Sequence, residues 1–357
     1  MDAWALTEHG HMNSFGHAYL HAEKLAKAGR SFKYIPGCEM YLHPDLDVWK
    51  LDHKIAQAAK KGDKEAQRAL RQQREQIVTP LTATFDSSDD IEDLVVREED
   101  EVGLTVESED ESKNNKFNDP VRRRHHLVVL PKTPEGLQRL FGLVSRGYRE
   151  GFYRFPRIDF RMLKEAAKGG HLLISSACIA GAPGFEVFKL AQGVEFNELS
   201  HKLLNDPSLH KKAVLGVGNV YQQMVDAVGE ENAFLELQFN KLGAQHLVNR
   251  AILDFADQNG INDKLVVTAD SHYSRPDRWK EREIYKQLGW LNYTDFDPSK
   301  LPQSVDDLKC ELYPKNADQI WQSYLDTTAG MDFYDDSVVC AAVERTHDIA
   351  HEMIDDI

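Results

Sequence analysis

The chain has 357 residues, 41% of them hydrophobic, which is enough for one large domain or two ordinary ones around a real core. Its formal net charge of −15 argues against nonspecific coating of nucleic acid, which is driven by Lys and Arg, but not against a nuclease whose metal ions bring their own positive charge. No run of about 18 apolar residues offers a membrane span. The N-terminus MDAWALTEHGH lacks the basic-then-apolar pattern of a secretory signal. Cys38, Cys178, Cys310 and Cys340 are widely spaced with no CxxC pair, so a reducing cytoplasm is expected rather than a disulfide framework.

In chain order, Trp4 to His9 reads as a strand opening into a loop, and 14 to 29 as a helix ending at Gly29. Tyr34 to Leu42 reads as a strand carrying Pro36, Gly37 and Glu39. The character then changes. Residues 48 to 77 are rich in Lys, Gln, Ala and Arg with a helical period broken only by Gly62. Residues 86 to 112 hold thirteen acidic residues against one Arg and read as a solvated, flexible run. Regular patterns resume with a strand at His126 to Leu130, a helix from Pro134 to Tyr148, and a buried strand at Leu172 to Ser175. Phe234 to Gln238 alternates as a strand, Gly243 to Ala256 is helical, and Leu265 to Thr268 is a buried strand leading into Asp270-Ser271-His272. Helices follow at 276 to 289, 315 to 325 and 335 to 353. Alternation of strands and helices predicts a parallel α/β architecture. There is no internal repeat, no GxGxxG and no P-loop signature.

Six residues near strand ends carry the chemistry: His9, Glu39, His126, Cys178, Asp270 and His272. Asp270 and His272 stand two apart after a buried strand, where period-two geometry turns both to one side; the bland alternative is a surface loop. Glu39 sits inside an apolar strand and needs a partner if it points inward, either a metal or an arginine. Of the pair His125 and His126, the second touches the strand and is the better ligand. Gly10 lets the chain turn tightly after His9, while Glu8 and His11 are candidates for the solvent side. Cys178 has no neighbouring base in sequence, so a ligand role is favoured over a nucleophilic one; most lone cysteines are simply small core residues. Imidazole, carboxylate and one thiolate together form the ligand palette of Zn, Mn or Fe, and a pair of such ions would suit hydrolysis of phosphoesters.

The segments ALTEHGHM, YIPGCEMYLHP, HHLVVLPKTPEGLQRLFGLVSRGYREGFYRFPRID, LLISSACIAG, FLELQ and VVTADSHYSRPD resemble, in order, the motifs of the PHP (polymerase and histidinol phosphatase) domain. The specific resemblance is to the version in bacterial and bacteriophage replicative DNA polymerase III alpha subunits, and the long block from His125 to Asp159 carries it best. It implies an α/β fold, a distorted (β/α)7 TIM-like barrel lacking its first strand, formed by 1–45 and 122–300. A charged insertion, partly helical and partly disordered, would occupy 46–121. A helical segment, 301–357, would lead toward a polymerase core not present in this chain. It further implies that the six residues are metal ligands holding two or three divalent ions (Zn, Mn or Fe) in an intact site. The family's first motif, with three of nine ligands, would precede Met1. Glu8 stands where the family usually has Asp, His11 where it often has Asn, and Ser176-Ala177 where Ser-Gly is usual. Arg157, in a Pro-Arg-Ile-Asp segment, matches a family element with no chemistry assigned.

The function implied is that of a cytoplasmic polymerase module in DNA replication, with metal-dependent 3′–5′ exonuclease activity. DNA, the polymerase catalytic core and an upstream fragment would be partners, and no membrane. The alternatives are a non-catalytic docking module of a split replicative polymerase and, less favoured by the His125 to Asp159 block, a free-standing small-molecule phosphoesterase.

Overall fold

The computed structural model describes residues 2–77, 121, 123–188, 190, 206–290 and 302–356. The acidic run at 86 to 112 lies outside them. Among the described residues, six strands form one curled sheet in the order of the chain: β1 (Ala3–His9), β2 (Lys33–Leu42), β3 (His125–Pro131), β4 (Leu172–Ser175), β5 (Ala233–Leu237) and β6 (Leu265–Val267). This half-barrel, surrounded by helices, is consistent with the expected distorted TIM-like barrel.

The expectation of a fully parallel sheet needs one correction. β1–β2, β4–β5 and β5–β6 pair in parallel, but β3 runs antiparallel to both neighbours. The connections explain it. Leu42 pairs with His125, so the segment between β2 and β3 leaves and returns at the same end of the sheet. Likewise Pro131 pairs with Leu172, because two helices, α4 (Pro134–Glu150) and α5 (Phe160–Ala167), run out and back between β3 and β4. A single crossover helix, such as α1 (Phe15–Lys27) between β1 and β2, instead delivers the next strand parallel.

Helix starts are written locally. α2 (Leu46–Lys60) begins at Asp45, whose carboxylate accepts from the backbone N–H groups of Asp47 and Val48. Gly62, at φ 71°, separates it from α3 (Lys64–Ile77). Thr133 caps α4, with Pro134 at the first turn, and Asp159 caps α5. α6 (Ala182–Phe188) is short and wholly buried; α7 (Pro207–Val228) starts at Asp206. α8 (Gly243–Asn259) and α9 (Trp279–Trp290) follow, then α10 (Ala317–Thr328), opened by an Asn316–Gln319 capping box, and α11 (Asp336–Asp348), which runs into a π-helical turn, Ile349–Met353.

The two faces of the sheet do different work. On the outer face Cys38, Met40, Leu127, Val129, Ile174 and Leu235 join the main core with the helices. α2 is part of that core: Leu46 and Trp49 are buried in it, and the Trp49 indole N–H donates to the carbonyl of Val121 at 2.9 Å. Truncating so buried a tryptophan to alanine costs about 3–5 kcal/mol. The inner face is apolar at one end, where Ile35, Leu130, Leu173, Phe234 and Val266 pack against Ile349, Ala350 and Ile354 of the C-terminal turn. Toward the other end the same face becomes polar. For β2 to β6, burial on both sides explains why the strands read as apolar runs, interrupted only where the inner face carries chemistry.

Candidate metal centre

Strand parity places the first three candidates. In the parallel β1–β2 ladder His9 lies opposite Glu39; in the antiparallel β2–β3 ladder Tyr41 lies opposite His126. Glu39 and Tyr41 are two residues apart and therefore share a face, so His9, Glu39 and His126 all project from the inner face. Glu39 bridges the two imidazoles: Oε2 is 3.6 Å from His9 Nε2 and Oε1 is 2.5 Å from His126 Nδ1. The three ligand atoms lie within 4.8 Å of one another. His125 takes the opposite face, against the Phe185 ring at 4.6 Å, so the preference for His126 follows from the pleat.

Cys178 joins at one side, its Sγ 3.7 Å from His126 Nδ1. It follows Ala177, which is held at φ 59°, a left-handed conformation that favours glycine. The family resemblance puts glycine at that position, so here an alanine makes the turn that aims the thiol. On the other side the His272 ring is 5.6 Å from that of His9, and His272 Nδ1 is 3.8 Å from Asp270 Oδ1. These two come together for a different reason from the one expected. β6 ends at Val267, and Asp270 sits in a loop at φ 47°, while the His272 N–H donates to the carbonyl of Leu312 at 2.8 Å. Loop geometry rather than strand alternation pairs them. All six residues thus form one connected chain of contacts, Cys178–His126–Glu39–His9–His272–Asp270.

The neighbours of the six settle several open points. The Gly10 N–H donates to the Glu39 carbonyl at 2.7 Å with φ 71°, the tight turn expected after His9. Glu8 faces away from the centre, accepting from the N–H and hydroxyl of Ser14, both at 2.8 Å, at the start of α1. Arg157 is buried, donating to the carbonyls of Arg123, Tyr153 and Phe155 at 2.9–3.0 Å, which ties the approach to β3 to the loop before α5.

Electrostatically the centre favours a charged carboxylate. Burial opposes ionisation of Glu39, but the imidazoles of His126 and His9 hold its carboxyl below the ordinary value. Burial likewise lowers His9, yet contact with Glu39 outweighs it and raises the imidazole. The buried Glu39 Oε1 makes no hydrogen bond of good geometry despite its close approach to His126. Two imidazole nitrogens converging on one buried carboxylate, one at each oxygen, form a donor set that fits a shared cation.

One residue escaped the sequence reading. Glu236, buried on β5, accepts from the hydroxyl of Ser175 and from that of Thr268 at 2.5 Å. Burial pushes its carboxyl up to about 7, with the charges of Glu39 and Asp270 adding to the shift. The signal that singled out Glu39, a carboxylate inside an apolar strand, was equally present in FLELQ. A cleft beside the centre is lined by Cys178, Gln238, Asn240, Asp270, His272 and Arg282.

Among the described residues no helix is long and apolar enough to cross a membrane. The PHP domain family matches residues 1–240, which include His9, Glu39, His126 and Cys178. DNA polymerase III subunit alpha of Treponema pallidum is 26% identical over 323 residues, covering 90% of this chain and 19% of that protein. The Aquifex aeolicus subunit is 30% identical over 166 residues (46% of this chain, 12% of that protein), and that of Helicobacter pylori 25% over 247 residues (68% and 17%). The chain therefore spans less than a fifth of the length of each of these relatives. With the strand-end centre and the curled sheet, a match over well more than half of its length makes the chain a member of the PHP domain family.

Proposed function

We propose that this chain is the PHP module of a replicative polymerase of the DNA polymerase III alpha type, and that its six-residue centre binds divalent metal ions for 3′–5′ hydrolysis of phosphodiesters. The observation that supports it best is the buried Glu39 carboxylate bridging His9 and His126, with Cys178, Asp270 and His272 completing the rim. His9, Glu39 and His126 would hold the first ion, and Cys178, Asp270 and His272 would serve further ions. Bound metal supplies Lewis-acid activation at the phosphoryl group. The chain's own residues supply the rest. In the metal-free centre, burial holds the Glu236 carboxyl up at about 7, so it keeps its proton to higher pH than an ordinary glutamate. Arg282, which lines the adjoining cleft and lies 3.7 Å from Glu283, would share its positive charge with a phosphate oxygen. DNA and the polymerase catalytic core would be its partners, and a bacterial or phage-infected cytoplasm its location.

The test is cleavage of a 3′-labelled primer with Mn2+ or Zn2+. Metal-dependent loss of the label, abolished by Glu39→Gln, is expected. No cleavage by the chain, alone or joined with the remainder of the polymerase, overturns the hydrolytic reading.

A second reading, a docking module without catalysis, is favoured by the edge of the sheet. Trp4, Tyr19, Leu20 and Phe141 are exposed by 38–55%, and α1 has no buried residue. The polymerase core would cover this apolar edge. Metal analysis of the strand-end centre separates the two: a hydrolase loses two or three ions per chain when Glu39→Gln and His126→Ala disable that centre, and a scaffold loses few or none.

A further inference from the structure

At the opposite end of the sheet the described residues hold another grouping of metal-ligating side chains. We propose that Asp2, His347 and His351 form a second, independent site for one zinc-class divalent cation, which cross-links the first strand to the C-terminal turn. The three offer ligand atoms that all lie within 4.8 Å of one another. His351 Nε2 is 3.5 Å from Asp2 Oδ1, and the His347 and His351 rings are 4.5 Å apart. The histidines stand four residues apart where α11 passes into the π-helical turn, so both reach the same side.

A tetrahedral zinc shell with bonds of about 2.0–2.1 Å places its ligand atoms roughly 3.4 Å from each other, so the Asp2–His351 pair is already spaced for it. An ordinary surface ion pair would account for His351 beside Asp2. A second imidazole stands beside the first, its ring tilted by 43°, and a shared cation uses both. All three residues are exposed, which leaves an open path and room for water as the fourth ligand.

The position gives the ion a consequence. The turn carrying His351 supplies Ile349, Ala350 and Ile354 to the apolar end of the inner face. The same segment is already tied to the sheet: Lys33 Nζ donates to the Ile354 carbonyl at 2.5 Å and lies 3.4 Å from Asp356, and the Asp355 N–H donates to the Lys132 carbonyl at 2.8 Å. Metal at Asp2, His347 and His351 would lock that plug to β1. With six residues of strand between Asp2 and His9, the site stands roughly 20 Å from the first centre.

The experiment uses the whole chain, free of any histidine tag and stripped of metal, titrated with Zn2+ by calorimetry and followed by thermal melting. Glu39→Gln with His126→Ala disables the first centre; His347→Ala with His351→Ala disables the second. The expected result is one Zn2+ equivalent fewer in the His347/His351 variant than in the parent. Zn2+ should also raise the melting temperature of the Glu39/His126 variant, a rise that is lost when His347 and His351 are replaced as well. Asp2→Asn, at an exposed position where folding is not at stake, should weaken that equivalent by on the order of ten-fold. Unchanged stoichiometry in the His347/His351 variant, or unchanged affinity in Asp2→Asn, overturns the proposal.

Discussion

Among the described residues the same three-residue composition occurs twice, two histidines and one carboxylate, in opposite surroundings. In His9–Glu39–His126 the carboxylate is 5% exposed and sits on a strand with a neighbour on either side; in Asp2–His347–His351 all three residues face solvent. Water at the surface can replace any partner that is lost. On the inner face of the sheet it cannot, so each buried donor must be matched by another group or by a cation. The same side chains therefore make a strongly coupled centre in one place and a loose, exchangeable one in the other.

The sharpest way to break this comparison is Glu39→Gln. Metal affinity at the strand-end centre should fall by at least about 100-fold, roughly 3 kcal/mol, because the residue that joins both imidazoles loses its charge. Calorimetry with the His347/His351 variant as background measures it, and a smaller loss would mean that the six residues do not act as one centre.

Next comes Glu236, buried beneath the centre. Its folded-state value of about 7 stands above the ordinary 4.5, so the fold prefers the uncharged carboxyl. In metal-free protein this contribution is complete below pH 4.5 and is lost as pH rises to about 7, a change of about 3 kcal/mol. Glu236→Gln should flatten the stability profile in that window, as followed by urea unfolding at a series of pH values. A profile of the same slope in the variant would place the titration elsewhere.

Ala177→Gly probes the turn before Cys178. Relief of the left-handed strain at φ 59° should stabilise the fold by on the order of 1 kcal/mol, less the entropy that glycine gives up on folding. A thermal melt reads it directly; destabilisation would show that the methyl group is needed in its packing. Smallest of all is His351→Ala without metal, which should leave the melting temperature unmoved. A clear drop in the absence of any ion would make His351 a structural residue of the plug.

Much of this was legible in the residues. Apolar runs marked all six strands to within a residue or two, and Gly10 and Gly62 marked real turns. The miss of α7 is instructive, since Asp206-Pro207 is an ordinary helix start, yet its alternating small and polar residues weaken the apolar stripe. α6 is buried on every side and so carries no periodic contrast at all. Glu236 carries the same local signal as Glu39, a carboxylate inside an apolar strand, but its partners, Ser175 on β4 and Thr268 just after β6, are brought to it only by the fold.

What the sequence by itself determined is local. The caps at Asp45, Thr133, Asp159 and Asn316, the strand propensities and the identity of the six candidate ligands all depend on neighbours a few residues away. Only the tertiary structure decided that β3 is reversed, that Asp270 meets His272 through a loop, that Glu8 serves α1 rather than the centre, and that residue 2 meets residues 347 and 351. Those outcomes depend on sheet register and on where distant segments pack. Register is set by which face of each strand finds a buried partner, and such a pairing is written in no single stretch of the chain.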